Sequence, residues 1–157
     1  MPELSLSVQY AAPAPLLPRW RLRRWVARAL QSAAADAGRP LPGARLALRL
    51  VGRAEGRRLN RAFRGRDYAT NVLTFEYGAG PDGVAHGDIV LCLPVLAREA
   101  REQRKPLRDH AAHLVVHGTL HALGYDHEKA RDARRMEALE TRILAAMGIA
   151  DPYLPRN

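Results

Sequence analysis

The sequence contains a single cysteine, Cys92, and this scarcity limits both covalent cross-links and metal sites. One cysteine excludes an intramolecular disulfide, and it also excludes a zinc site built from several thiolates. Histidine and carboxylate side chains are therefore the ligands left for a transition metal. Cys92 lies in an apolar run, so we expect it to be buried in the core.

Long apolar stretches are absent as well. No run of about 18 apolar residues is available to cross a bilayer, and no apolar segment near residue 1 is typical of a signal peptide. We therefore expect a cytoplasmic protein that does not act on membranes. The 157 residues, 47% of them hydrophobic, predict one domain spanning 1–157 with a sizeable core.

Lysine is scarce too, because Lys105 and Lys129 are the only two in a chain with 25 basic residues and a net charge of +9. Arginine therefore carries almost all of the positive charge, and arginine forms bidentate contacts with phosphate. A basic domain of this kind favours a nucleic-acid ligand over the alternative that the many arginines reflect the coding bias of the source genome. Trp20 and Trp25 are expected to pack in the core and at its rim rather than to stack on bases.

Hydrophobic periodicity predicts an alternation of strands and helices. A period of two predicts strands at 4–10, 45–51, 70–77 and 88–93. A helical period predicts helices at 19–37, 54–63, 94–104, 107–123 and 128–147. The first two strands should pair in parallel across a helix, and the last two should pair antiparallel across a Gly-rich loop.

These elements predict an α+β fold, with a four-stranded mixed sheet and helices packed mainly on one face. They predict no strand order. His86 is expected to lie in the Gly-rich loop, and His110 is expected to be exposed.

Three histidines, His117, His121 and His127, form the pattern H-x3-H-x5-H. The first two are four residues apart and so share one face of a helix. Gly124 is expected to end that helix, and the following turn can bring His127 back towards the first two rings. Three imidazoles leave the fourth position of a tetrahedral zinc ion open, which is typical of catalytic sites. The motif therefore predicts one Zn²⁺ per chain, on a helix and the turn after it.

Three neighbours of the histidines allow more than one interpretation. His113, one turn before His117, is expected to support a ligand or face the substrate rather than to be a fourth ligand. Asp126 either orients a ligand imidazole or caps the last helix. Gly118 stands where metzincin proteases, which share the spacing, carry a catalytic glutamate. A glycine inside a helix also indicates the close approach of another backbone, a substrate or the water on the metal.

With these residues in view, the chain resembles the bacterial YbeY family of metal-dependent endoribonucleases, which mature ribosomal RNA. The resemblance covers most of the chain after the first helix. It rests on LNRAFRG at 59–65, TNVLTF at 70–75, GDIV at 87–90, MEALE at 136–140 and the full histidine motif at 117–127.

The resemblance implies zinc ligands at His117, His121 and His127 and a functionally important arginine at Arg64. It implies hydrolysis of single-stranded RNA, maturation of the 3′ end of 16S rRNA and ribosome quality control. It also implies ribosomal small-subunit components and an assembly GTPase as partners.

The segment TNVLTF supplies Asn71 as a further candidate for substrate binding. Thr74 and His86 depart from the residues that are common in the family, and neither is expected to touch the site.

Two other functions fit the same histidines. One is a metzincin-like peptidase, against which Gly118 argues because it removes the general base. The other is a zinc-containing RNA-binding assembly factor without catalysis of its own. The sequence contains no obvious general base for hydrolysis, which favours this second alternative.

Overall fold

The computed structural model describes residues 1–126 and 128–154, and they adopt the predicted α+β fold. The strands are β1 (Glu3–Tyr10), β2 (Gly43–Val51), β3 (Val72–Ala79) and β4 (Ala85–Cys92). The helices are α1 (Arg19–Asp36), α2 (Arg53–Arg64), α3 (Leu93–Glu102), α4 (Leu107–Ala122) and α5 (Ala130–Ala146). Each element lies within a few residues of the position that its periodicity predicts.

The four strands form one mixed sheet in the order β1-β2-β4-β3. β1 and β2 are parallel, as the crossover through α1 predicts, and β2 is also parallel to β4. β3 runs antiparallel to β4 at the edge, as the short connection between them predicts. β4 therefore lies between two strands, and its second half, 89–92, packs into the cores on both faces of the sheet, which accounts for the apolar run there.

Helices cover the two faces of the sheet unequally. The larger core joins α1, α4 and α5 to one face and includes Leu22, Leu48, Ile89 and Leu120. On the other face, α2 places Leu59 against a smaller cluster around Val90 and Cys92. The prediction of helices mainly on one face is therefore confirmed. Cys92 is buried, also as predicted.

Two predictions about histidines are wrong. His86 lies within β4, paired with Arg45 of β2, because the turn before it closes tightly through a hydrogen bond from the Gly83 N–H to the Gly80 carbonyl. His110 is only 3% exposed, because its Nε2 lies 2.9 Å from the Oε1 atom of Glu99 on α3. A polar side chain predicted to face solvent is thus satisfied inside the protein.

The two tryptophans of α1 differ in their exposure. Trp25 is buried in the core, whereas Trp20 is 60% exposed. Core packing is therefore confirmed for Trp25, but Trp20 lies largely in solvent. None of the helices in the described parts of the chain has the length and hydropathy needed to span a bilayer.

Candidate active site

A cleft of about 390 Å³ lies between the C-terminal half of α4, the end of α2 and the start of β3. His117 and His121 of α4 line it, together with Arg64 from the last position of α2. Asn71 lines it from the segment that leads into β3. Four of the residues singled out in the sequence therefore meet in one cavity, although they come from three different parts of the chain.

The spacing of the two helical histidines fits a shared metal ion. Their ring centroids are 5.6 Å apart, with the ring planes at 76°. Two imidazoles bound to one zinc ion at roughly 2.0–2.1 Å, with tetrahedral angles, would have their centroids about 5 Å apart. Among residues 1–126 and 128–154 no three potential ligands form a metal site. The predicted third ligand, His127, lies outside the described residues.

The helix ends where the sequence predicts. α4 stops at Ala122, and Gly124 has a φ of 104°, a conformation that L side chains rarely adopt. The next residue, Tyr125, donates a hydrogen bond of 2.6 Å from its hydroxyl to Asp36 Oδ2 at the end of α1. Arg135 of α5 donates to the same oxygen at 3.1 Å. The turn that leads towards position 127 is thereby tied to two other helices.

Glu140 contacts a candidate metal ligand, and the sequence interpretation did not single it out as a site residue. Its side chain is fully buried on α5, and its Oε1 atom lies 2.9 Å from Nδ1 of His117. A carboxylate in that position accepts the Nδ1–H, which leaves Nε2 as a lone-pair donor for a metal. The signal was present in the sequence, because Glu140 falls on the apolar stripe of α5 between Met136 and Ile143. A lone carboxylate on a buried face needs partners, and here they are the histidines of α4.

Two further donors complete the surroundings of Glu140. Nε2 of His113 lies 3.3 Å from Oε1, and the Tyr153 hydroxyl donates to Oε2 at 2.6 Å. Burial alone would raise the pKa of Glu140, but hydrogen bonds from His113, His117 and Tyr153 outweigh it and lower the pKa to about 2. The carboxylate is therefore ionised at neutral pH. His113 contacts the carboxylate that holds His117 and does not line the cleft.

Arg64 and its neighbour Arg57 differ in their partners. Arg57 forms a two-pronged ion pair with Asp67, with nitrogen–oxygen distances of 2.8 and 3.0 Å. Arg64 forms no ion pair with any of the described residues and is exposed at the mouth of the cleft. Its guanidinium is therefore available to an anionic ligand.

A partly buried network holds the wall of the cleft that includes Asn71. Asn71 donates through Nδ2 to Glu99 Oε1 at 3.0 Å and accepts the N–H of Val72 at 2.6 Å. Burial would raise the pKa of Glu99, but hydrogen bonds from His110 and Asn71 lower it below its usual value. The wall therefore depends on an ionised carboxylate that the sequence interpretation also missed.

Gly118 lies against the sheet rather than beside a ligand. A Cβ atom there would lie 2.9 Å from Ile89 Cγ2 and 3.3 Å from Val72 Cγ2. The protein groups that approach Gly118 most closely are therefore strand side chains rather than another backbone. Thr74, whose Oγ1 would lie 3.4 Å from that Cβ, also lines the cleft, so the prediction that it does not touch the site is wrong. His86 is not among the lining residues.

Asp126 takes part in the turn before α5. Its Oδ1 atom accepts the N–H of Glu128 at 3.1 Å. This contact is an Asx turn in the segment before α5, which begins at Ala130, and so it is not the helix cap that is one of the two roles the sequence left open. In the other role, Asp126 would orient a ligand imidazole. One of the candidate imidazoles, His127, lies outside the described residues.

Comparison with known proteins gives one family. A family model described as Endoribonuclease YbeY matches residues 15–148. The Endoribonuclease YbeY of Bordetella pertussis is 78% identical over 152 residues, which cover 97% of each chain. That of Bordetella avium is 71% identical over 153 residues, 98% of this chain and 95% of the relative.

One solved structure has a similar fold. The solution structure of TM1509 from Thermotoga maritima has a TM-score of 0.58 and 21% identity. The match covers 95% of this chain and 99% of that one. At this identity the likeness concerns the fold alone.

Proposed function

The chain belongs to the YbeY family of endoribonucleases, and on that premise we propose that it is a metal-dependent endoribonuclease acting on single-stranded RNA. The observation that carries the proposal is the cleft that brings His117, His121 and Arg64 together. We propose that His117, His121 and His127 hold one Zn²⁺. When bound, the ion supplies Lewis-acid catalysis and an activated water for phosphodiester hydrolysis.

The donor set supports a metal at this position. The two helical imidazoles have a centroid spacing close to that expected for one shared ion. Glu140 holds the Nδ1 atom of His117 and so directs its other nitrogen away from the carboxylate. Both arrangements support the proposal that these histidines coordinate a metal ion.

Arg64 is proposed to bind the scissile phosphate and to stabilise charge that builds on it. Its guanidinium is a permanent cation, and no carboxylate of the described residues neutralises it. The rim beside it is aromatic, because Phe63 is 65% exposed and packs edge-to-face on Phe75 at 5.1 Å. An exposed ring next to a phosphate-binding cation suits a nucleotide, whose base can stack while its phosphate is held.

The peptidase alternative loses support from the composition of the cleft. None of its lining residues in the described part of the chain is a carboxylate, and Gly118 packs on the sheet. A metzincin-type mechanism needs a glutamate beside the metal.

The cellular role is proposed from family membership. We infer action in the cytoplasm on the precursor of 16S rRNA, at its 3′ end, and in ribosome quality control. The partners are ribosomal small-subunit components and an assembly GTPase. The net charge of +9 is consistent with a substrate bound through its phosphates.

The proposal is tested by cleavage of a single-stranded rRNA precursor with and without a chelator. Chelation and His117→Ala should abolish cleavage, and Arg64→Ala should slow it by roughly 10²–10³-fold, as for loss of one charge-stabilising donor. Arg66→Ala is the matched control, because Arg66 lies only two residues beyond Arg64 but does not line the cleft. Cleavage that survives chelation and both substitutions would identify a contaminating nuclease instead.

The assembly-factor alternative predicts a different outcome for His121→Ala. A structural metal stabilises the fold, so the variant should unfold at a much lower temperature. A catalytic metal predicts a folded variant that binds RNA but does not cleave it. A thermal melt paired with an RNA-binding measurement separates the two.

A further inference from the structure

The solvent-facing side of α1 carries an unusual concentration of positive charge. Its arginines fall within ten residues of one another, and no carboxylate lies among them: Arg19, Arg21, Arg23, Arg24 and Arg28. Among the described residues none of these arginines forms an ion pair. Carboxylates do neutralise some arginines elsewhere in the protein, as in the pairs Arg49–Glu55 and Arg57–Asp67. The charge on α1 is therefore left for a ligand.

An aromatic ring stands in the middle of this charge. Trp20 is 60% exposed, and Arg23 and Arg24 lie three and four residues further on, so they share its face of the helix. The guanidinium carbon of Arg21 lies 4.9 Å from the centroid of the Trp20 ring, and the same side chain donates to the Leu16 carbonyl at 2.8 Å. One side of the indole is thus occupied by a cation that is fixed to the backbone.

The patch is remote from the cleft. Arg19 donates to the carbonyl of Val8, and Arg23 donates to that of Leu4 at 3.3 Å, both on β1. β1 is the edge strand opposite β3, which lines the cleft. With about 4.8 Å between neighbouring strands, the two edges are roughly 14 Å apart.

We propose that Trp20 with Arg21, Arg23 and Arg24, called here the α1 patch, is a second binding site for single-stranded RNA. The proposal rests on the proposed function, because it extends the same substrate beyond the cleft. A base stacks on the exposed indole while the arginines hold the flanking phosphates, an arrangement that binds single strands without sequence preference. An RNA long enough to reach both sites is held more tightly than one that fills only the cleft.

An anionic membrane surface is the competing ligand for an exposed tryptophan among arginines. Interfacial helices insert a whole apolar face. In α1 that face is already buried against the core through Leu22, Trp25 and Val26. Trp20 and the neighbouring Leu16 are too few to replace it, so RNA is the better match.

The test measures RNA binding and cleavage separately. Fluorescence anisotropy measures the affinity of the wild type, Trp20→Leu and Arg24→Ala for labelled RNAs of about 12 and about 4 nucleotides, two lengths within the range of common site sizes. Trp20→Leu should weaken binding of the longer RNA roughly 5- to 100-fold and leave cleavage of the shorter one unchanged. Arg24→Ala should reduce the slope of log affinity against log salt by about 0.7. Arg101→Ala, an exposed arginine of α3, is the matched control and should change affinity less than about twofold.

Tryptophan emission gives an independent readout, because Trp20 is exposed and Trp25 is buried. RNA should quench the wild-type emission and leave that of Trp20→Leu unchanged. Equal affinities of the wild type and both variants for the longer RNA would overturn the α1 patch while leaving cleavage in the cleft intact. Trp20-dependent binding without any cleavage would support the patch and contradict the proposed enzyme. A response of Trp20 to phosphatidylserine vesicles but not to RNA would overturn the proposal in favour of a membrane.

Discussion

Glu140→Gln changes one buried carboxylate and should weaken both the fold and the metal site. Glutamine has nearly the same shape, but its hydrogen bonds to His113, His117 and Tyr153 are no longer charge-assisted. A hydrogen bond to a charged group contributes about 1 kcal/mol more to stability than a neutral one. Loss of the charge from three such bonds should therefore lower the free energy of unfolding by about 2–3 kcal/mol. In a protein of this size the metal-free variant should melt roughly 4–12 °C below the wild type.

The same substitution should loosen the orientation of His117. Removal of a carboxylate that holds a ligand histidine typically lowers metal affinity by roughly 10–100-fold. Thermal denaturation in a chelator measures the first effect, and competition for zinc against a chromophoric chelator measures the second. Glu137→Gln is the control, because Glu137 lies on the exposed side of the same helix.

Tyr153→Phe separates the two effects. It removes the hydrogen bonds of the hydroxyl to Oε2 and to Nε2 of His113, and it leaves the contact between Oε1 and His117. The variant should therefore lose stability by about 1–2 kcal/mol with little change in zinc affinity. A Glu140→Gln variant with wild-type zinc affinity would refute the role of Glu140 in orienting His117, whatever its melting temperature.

Two further predictions concern packing and acid stability. Gly118→Val should lower the free energy of unfolding, measured by urea denaturation, by about 1–3 kcal/mol, because its side chain would overlap Ile89 and Val72. Gly38→Ala is the control and should leave that free energy nearly unchanged, because Gly38 has open space around it. Equal stability of the two variants would contradict the packing. Hydrogen bonds from Tyr125 and Arg135 stabilise the charged carboxylate of Asp36 and lower its pKa below the usual 3.8. Asp36→Asn should therefore lower the free energy of unfolding at neutral pH by about 1–3 kcal/mol. Since the folded-state pKa is depressed, the wild-type advantage should be complete above that value and disappear as the pH falls through the lower folded-state pKa. A difference that does not change between pH 7 and about pH 2 would show that the carboxylate charge is not the cause.

Local patterns predicted much of the site. The spacing of His117 and His121 defines one helix face, and Gly124 marks the end of that helix, so both followed from neighbouring residues. Arg64 came from the family resemblance, since nothing local distinguishes it from the other arginines of α2.

The missed features depend on contacts between distant segments. Glu140 reaches His117 only because α5 packs on α4, and no short window of sequence contains both. His110 is buried because Glu99 on another helix accepts its hydrogen bond. Gly118 was expected to allow the close approach of another backbone, a substrate or the water on the metal, whereas side chains of the sheet pack against it. In each case the contacting residue lies in a different helix or strand, so only the tertiary structure identifies it.

The measurement that tests the central claim most directly is a zinc titration of chelator-treated protein during cleavage of single-stranded RNA. The account predicts no cleavage without metal, a rise in rate proportional to added zinc, and saturation at one ion per chain. His121→Ala should remain folded and inactive throughout the titration. Cleavage at the full rate by metal-free protein would contradict the account, and so would a rate that does not depend on zinc.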